Sequence, residues 1–149
     1  MQVQTARYGA VEVSAADILE FERGLFGFET MHRYVLLEHG PKSPLRLLQS
    51  LEEPSLAFVV IEPFLICPDY TVEISAADAA AVHWWEDSGV LVLVTVGIPD
   101  DPGEMTANLK GPILVNPKRG RSVQIVLPGD RWPARYRVLD ALQARGNDS

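Results

Sequence analysis

The apolar residues of this chain come in short runs, and glycine or proline closes almost every one. Residues 90–98 form the longest β-branched run, with Pro99 directly behind it and a tight acidic loop to Gly103. Residues 56–61 are nearly all apolar and stop at Glu62-Pro63. Runs of this length and composition fit strands: residues 90–98 belong at the centre of a sheet, and residues 56–61 in a strand covered on both faces. Further strands are expected at residues 3–5, 11–13, 34–37, 45–51, 70–74, 122–127 and 136–139. Residues 29–33 read as one helical turn. Only residues 76–83, rich in alanine and capped by Ser75, read as a longer helix, of about two turns. That is too little helix to cover a parallel sheet. The expected fold is mostly β: a small antiparallel barrel-like or sandwich domain with one or two short helices. It spans residues 1–149 as one unit, with a loop at residues 39–44 and a frayed tail from about residue 140.

The most informative stretch runs from Thr106 to Asn116, Thr-Ala-Asn-Leu-Lys-Gly-Pro-Ile-Leu-Val-Asn. Asn108 can bond its own backbone and hold a bend. Gly111-Pro112 breaks the chain where a strand would begin, and Asn116-Pro117 ends the strand after three apolar residues. Residues 117–120 then form a hairpin turn. A second local device occurs twice. Val11-Glu12-Val13-Ser14-Ala15-Ala16-Asp17 is matched by Val72-Glu73-Ile74-Ser75-Ala76-Ala77-Asp78. In each, a serine caps the start of a turn and an acid follows three positions on. Nothing around the two copies extends the match, so they are two uses of one solution rather than a duplication.

Composition narrows the function. The net charge is −7, divided unevenly: −12 up to Leu109 and +5 from Lys110 onward. Such a surface repels nucleic acid over most of its extent and can attract a basic protein. The basic cluster Lys118-Arg119-Gly120-Arg121 has no interleaved aromatic on which a base could stack. No apolar run approaches the ~18 residues of a membrane helix, and the N-terminus carries no signal-peptide pattern. Cys67, the single cysteine, allows no internal disulfide and fits a reducing cytoplasm.

The residue patterns of catalysis are missing. His32, His39 and His83 make no pair at metal-ligand spacing, and His83 with Glu86 is one pair short of a site. Cys67 lacks a basic neighbour in sequence to activate its thiol. No serine sits in a nucleophile elbow. Asp100-Asp101, adjacent between two prolines, reads as a solvated turn. Trp84-Trp85 reads as packing of core and rim. In residues 24–28, Gly-Leu-Phe-Gly-Phe, three apolar side chains would crowd a phosphate and no Lys-Ser/Thr follows.

Several stretches together resemble one family. Asn108-Leu109-Lys110-Gly111-Pro112-Ile113, then Asn116, then Gln124-Ile125-Val126-Leu127 are similar to the flagellar assembly factor FliW family. So are Gly24-Leu25-Phe26-Gly27-Phe28-Glu29, Leu48-Gln49-Ser50, Leu56-Ala57-Phe58-Val59-Val60 and Asp69-Tyr70. They follow in family order from Phe21 to Tyr136, although Phe26 stands where that family usually has proline. The resemblance implies a small β-barrel-like, cytoplasmic, monomeric factor without cofactor, metal or catalysis. It also implies two protein partners, flagellin and the RNA-binding regulator CsrA, whose repression of flagellin translation the factor relieves. Asn108, Leu109, Lys110 and Pro112 are the expected contact residues, as exposed members of their motif, with Phe28 and Gln49 beside them. Glu52, Glu53, Asp100 and Asp101 are expected to oppose RNA electrostatically when the protein docks near CsrA's basic RNA-binding surface, without covering the RNA site itself. The alternatives are a flavin-type β-barrel cofactor protein and a direct RNA-binding module.

Overall fold

The computed structural model describes residues 1–38 and 43–139. Most of the loop expected at residues 39–44, with His39 and Lys42, and the tail from residue 140 lie outside these residues. The elements that lie wholly within the described residues include β1 (Gln2–Thr5), β2 (Gly9–Glu12), β3 (Leu19–Phe21), β4 (Arg33–Glu38), β5 (Arg46–Ser50), β6 (Ala57–Ile61), the short helix α1 (Ala76–Ala81), β7 (Leu91–Gly97), β8 (Thr106–Ala107), β9 (Ile113–Asn116), β10 (Arg121–Gln124) and β11 (Tyr136–Arg137). The order β7-β6-β5-β4-β3-β10-β9 returns on itself, because β9 also pairs with β7. Leu91, Val92 and Leu93 sit opposite Val115, Leu114 and Ile113. Seven strands thus close a barrel. All neighbours are antiparallel except β3 and β10, which run parallel.

Alternation along the strands sorts the apolar residues into three packed regions. Leu19, Phe21, Tyr34, Leu48, Val60, Leu93, Ile113 and Val115 fill the barrel interior. The opposite faces of β7, β9 and β10 present Val92, Val94, Leu114 and Val123 to the outside, where Ile66, Tyr70 and Val82 cover them. The β1–β2 hairpin lays Val3 and Val13 over Val35 of β4. The central place expected for residues 90–98 is therefore correct: β7 is apolar on both sides because the barrel fills one face and the 66–82 segment covers the other. Residues 56–61 are less deeply covered than expected; Ala57, Phe58 and Val59 are half-buried.

Three local expectations need correction. Residues 70–74 do not join a sheet. Val72 and Ile74 pack on the outer apolar face, so this segment crosses the barrel instead of extending it. Residues 29–33 are no helical turn, since Arg33 already opens β4. The return strand ends at Gln124 instead of residue 127, although Ile125 and Leu127 still donate to the carbonyls of Pro112 (3.0 Å) and Lys110 (2.8 Å). The final strand is likewise shorter than residues 136–139.

The repeated serine device folds in two ways. Ser14 and Asp17 form a full capping box on a 3-10 turn. Ser75 caps α1 by accepting from Asp78 N–H. The helix ends as His83 takes a left-handed φ of 51°. His83 N–H and Trp84 N–H then bond Ala80 O and Ala79 O at 3.3 and 2.9 Å. Trp84 packs against the outer core, while Trp85 is 82% exposed.

Asn116 locks the region after α1 to the β9–β10 turn. It is fully buried, and its amide nitrogen donates to Val82 O (2.7 Å) and Asp87 Oδ2 (2.9 Å). Its oxygen accepts from Lys118 N–H and Arg119 N–H at 3.1 and 3.3 Å. Asp87 also receives the Arg119 guanidinium. Hydrogen bonds from Arg119 and then Asn116 hold the Asp87 carboxyl at about 2, below its usual 3.8. A depressed carboxyl stabilises the fold above its unfolded pKa and loses that contribution as pH falls through the folded value. The melting-temperature gap between wild type and Asp87→Asn should therefore be widest near neutral pH and shrink between about pH 4 and pH 2. A gap that stays constant over that window would remove Asp87 from the account.

Candidate functional site

The antiparallel registers place several loops at one end of the barrel. The C-terminal ends of β3, β5, β7 and β10 lie there with the N-terminal ends of β4, β6 and β9. Residues 22–32, 51–56 and 98–112 therefore share this rim. It holds the stretch singled out in the sequence, the Gly-Leu-Phe-Gly-Phe loop and all four of the expected electrostatic acids.

The rim is held by side-chain amides that bond loop backbones. Asn108 Oδ1 accepts from Lys110 N–H and Gly111 N–H, both at 3.1 Å, which makes the expected bend. Gln124 Nε2 donates to Gly111 O at 3.0 Å, and its oxygen accepts from Phe26 N–H at 2.9 Å. One glutamine thus joins the two most distinctive loops. Gly111 is required by space: a Cβ there would lie 2.9 Å from Asn108 Nδ2 and 3.3 Å from Gln124 Nε2. Gly24 is required twice over, by its φ of +67° and by Glu29 Cα, 2.7 Å from where a Cβ would stand. Phe28 N–H returns to Leu25 O at 2.8 Å, and this small turn lifts Phe26 and Phe28 to the surface.

The expected contact residues fall into two groups. Leu109 is fully buried and Pro112 is buried, so the expectation that both are exposed is corrected. Leu109 N–H donates to Pro133 O at 3.0 Å, and Leu109 O accepts from the buried Tyr70 hydroxyl at 2.6 Å. The turn presses this side chain into the outer core because both of its backbone groups are claimed from that side. Gln49 is also buried; its amide nitrogen donates to Ser50 O, Pro54 O and Leu56 O and shapes the β5–β6 loop. Asn108 and Lys110 are half-buried, with Lys110 Nζ 2.9 Å from Gly129 O. Phe28 is 39% exposed and Phe26, absent from the expected contacts, 50%. Phe28 stacks edge-on against half-buried Phe58, centroids 5.1 Å apart. Two exposed phenylalanines two residues apart in a glycine-flanked loop could have signalled this patch from the sequence.

The acids differ in duty. Glu52 Oε1 accepts from His32 N–H (2.5 Å) and Arg33 N–H (2.9 Å), and those bonds lower its pKa. Glu53 is lowered by its bonds from the Ser55 hydroxyl and backbone. Asp101 accepts from Gly103 N–H at 2.9 Å, and Asp100 is exposed. The charge divided along the sequence is mixed in space. Arg119 meets Asp87, Arg137 meets Glu104 at 2.8 Å, and Arg121 lies 3.7 Å from Glu20. The basic Lys118-Arg119-Gly120-Arg121 turn is thereby largely matched by carboxylates, at the barrel end opposite the rim. Among the described residues, no group of three or more His, Cys, Asp or Glu could hold a metal, and no helix is long and apolar enough to cross a membrane.

Replacing Leu109 by alanine should cost about 2–5 kcal/mol of stability, read as a fall in the denaturant midpoint. Phe28→Ser should lower the stability read in the same way by no more than about 1 kcal/mol. Equal losses would mean that the exposed ring is structural.

The FliW protein family model matches residues 2–138. The flagellar assembly factor FliW of Treponema pallidum (strain Nichols) is 37% identical over 145 residues, covering 97% of this chain and 96% of that protein. That of Syntrophus aciditrophicus (strain SB) is 37% identical over 139 residues, covering 93% and 88%. A crystal structure of the flagellar assembly factor FliW superposes with a TM-score of 0.84 at 28% identity, over 93% of this chain and 96% of that one. A matched family model, full-length relatives and the same barrel lead to one conclusion: this chain belongs to the FliW family.

Proposed function

We propose that this protein is a cytoplasmic flagellar assembly factor that binds flagellin and the regulator CsrA, and that it relieves CsrA's repression of flagellin translation. The observation that carries this reading is the rim of the barrel, where two raised phenylalanines sit among acidic loops. Flagellin is taken as an apolar helical segment, which suits the Phe26–Phe28 patch with Asn108 and Lys110 beside it. Leu109, Pro112 and Gln49 act from beneath by holding those loops in place. CsrA presents a basic RNA-binding surface, and the acids at residues 52, 53, 100 and 101 raise the cost of bringing a phosphate backbone near it. The packed barrel interior favours this reading over a cofactor-binding barrel. The carboxylates around the basic turn favour it over direct RNA binding.

Calorimetric titration of purified flagellin tests the apolar component. The double variant Phe26→Ser/Phe28→Ser should bind at least about tenfold more weakly, a loss of about 1.4 kcal/mol, with its melting temperature little changed. Unaltered affinity would exclude the patch. The charge component is tested with Glu52→Gln, Glu53→Gln, Asp100→Asn and Asp101→Asn combined, since amides can still accept the loop hydrogen bonds. This variant should bind CsrA yet displace RNA less well, and the difference should shrink as salt is raised. Equal displacement at low salt would reject it.

A further inference from the structure

Glu29 belongs to the raised phenylalanine loop. Its Oε1 accepts from Gly27 N–H at 3.1 Å, and Gly27 is the residue between Phe26 and Phe28. A carboxylate is thereby pinned at the patch formed by two exposed rings. Glu29 is itself exposed, and it has no ion-pair partner among the described residues. The cations of this loop and of the adjoining one turn elsewhere: Arg23 meets Asp78 at 2.7 Å, and Lys110 Nζ meets Gly129 O at 2.9 Å. The space over the middle of the loop is open. Gly27 holds a φ of +87°, and a Cβ there would meet nothing within 4 Å.

The loop offers a partner its side chains and little of its backbone. The N–H groups of Gly24, Phe26, Gly27, Phe28 and Met31 all donate within the protein. An extended peptide needs unpaired backbone on its host and finds no such donors at these positions. A helix satisfies its own backbone and docks by side chains alone. An occupant that covers both rings also strips water from the Glu29 carboxylate. Leaving that charge unpaired works against the gain from covering the rings. A lysine or arginine set beside the occupant's apolar residues restores the balance, and the phenyl faces attract it too. Glu22, Glu52, Glu53, Asp100 and Asp101, in the rim loops, also lack ion-pair partners among the described residues. The field at the rim therefore draws a cation and repels a phosphate.

We propose that Glu29 sets which helix the rim accepts. That helix is amphipathic and carries a lysine or arginine beside the apolar residues that seat on Phe26 and Phe28. Its cation meets the Glu29 carboxylate over Gly27. The inference rests on the reading above that flagellin binds this patch, and it deepens that reading by adding a basic residue to the segment bound.

The test is Glu29→Gln, which keeps an acceptor for Gly27 N–H and removes the charge. The variant should keep the melting temperature of the wild type. It should bind purified flagellin about tenfold more weakly at low salt, and the gap should close as salt is raised. Glu29→Lys should bind more weakly still. Binding by Glu29→Gln within about twofold of the wild type at low salt would overturn the proposal. So would a structure of the wild-type complex with no lysine or arginine nitrogen of flagellin within about 4 Å of the Glu29 carboxylate, a result that stands even if the variants fail to fold. Failure of the wild type to bind flagellin, or unaltered binding by Phe26→Ser/Phe28→Ser, would instead overturn the proposed function at this patch, and this inference with it.

Discussion

The pairing of β7 with β9 is the constraint on which the rest of the molecule depends. A sheet of short strands exposes polar backbone at both edges, and closing it into a barrel satisfies most of those groups at once. Closure here joins the longest apolar run to the strand that follows the Asn108–Pro112 turn. It also makes both faces of β7 interior, one to the barrel and one to the covering segment from Ile66 to Val82. The unbroken Val/Leu pattern of residues 90–98 is the chemical expression of that position.

Short strands place a large share of the backbone in turns, and buried turns need partners. Gln49, Asn108, Asn116 and Gln124 supply them. Each spends its amide on main-chain groups of loops, and Asn116 also reaches Asp87. This explains why the residues that carry the family resemblance are mostly internal. They hold the rim in shape, and the shaped rim raises Phe26 and Phe28. A buried signature and an exposed surface are thus linked through hydrogen bonds, with Gln124 touching both loops.

Much of the fold was legible. Strand breaks at Gly and Pro, the serine caps and the central place of residues 90–98 all follow from local chemistry, and the structure keeps them. The errors have a common cause. Residues 70–74 have the alternation of a strand, yet an alternating segment can lie across a sheet as well as extend it. Leu109 stands in a polar turn, where a single apolar residue looks exposed. It is buried because Tyr70 and Pro133, distant in sequence, claim its backbone.

The sequence by itself determined the β class, the turn positions, the excess of acid and, through ordered motifs, the family. These depend on neighbours in the chain, on the sum of charges or on the order of residues, and all three can be read along one dimension. Tertiary structure alone decided which face of each turn meets solvent and that Glu52 ties down the backbone of residues 32 and 33. It paired the basic last quarter with earlier carboxylates. Each of these depends on contacts between residues tens of positions apart, which exist only once the barrel has closed.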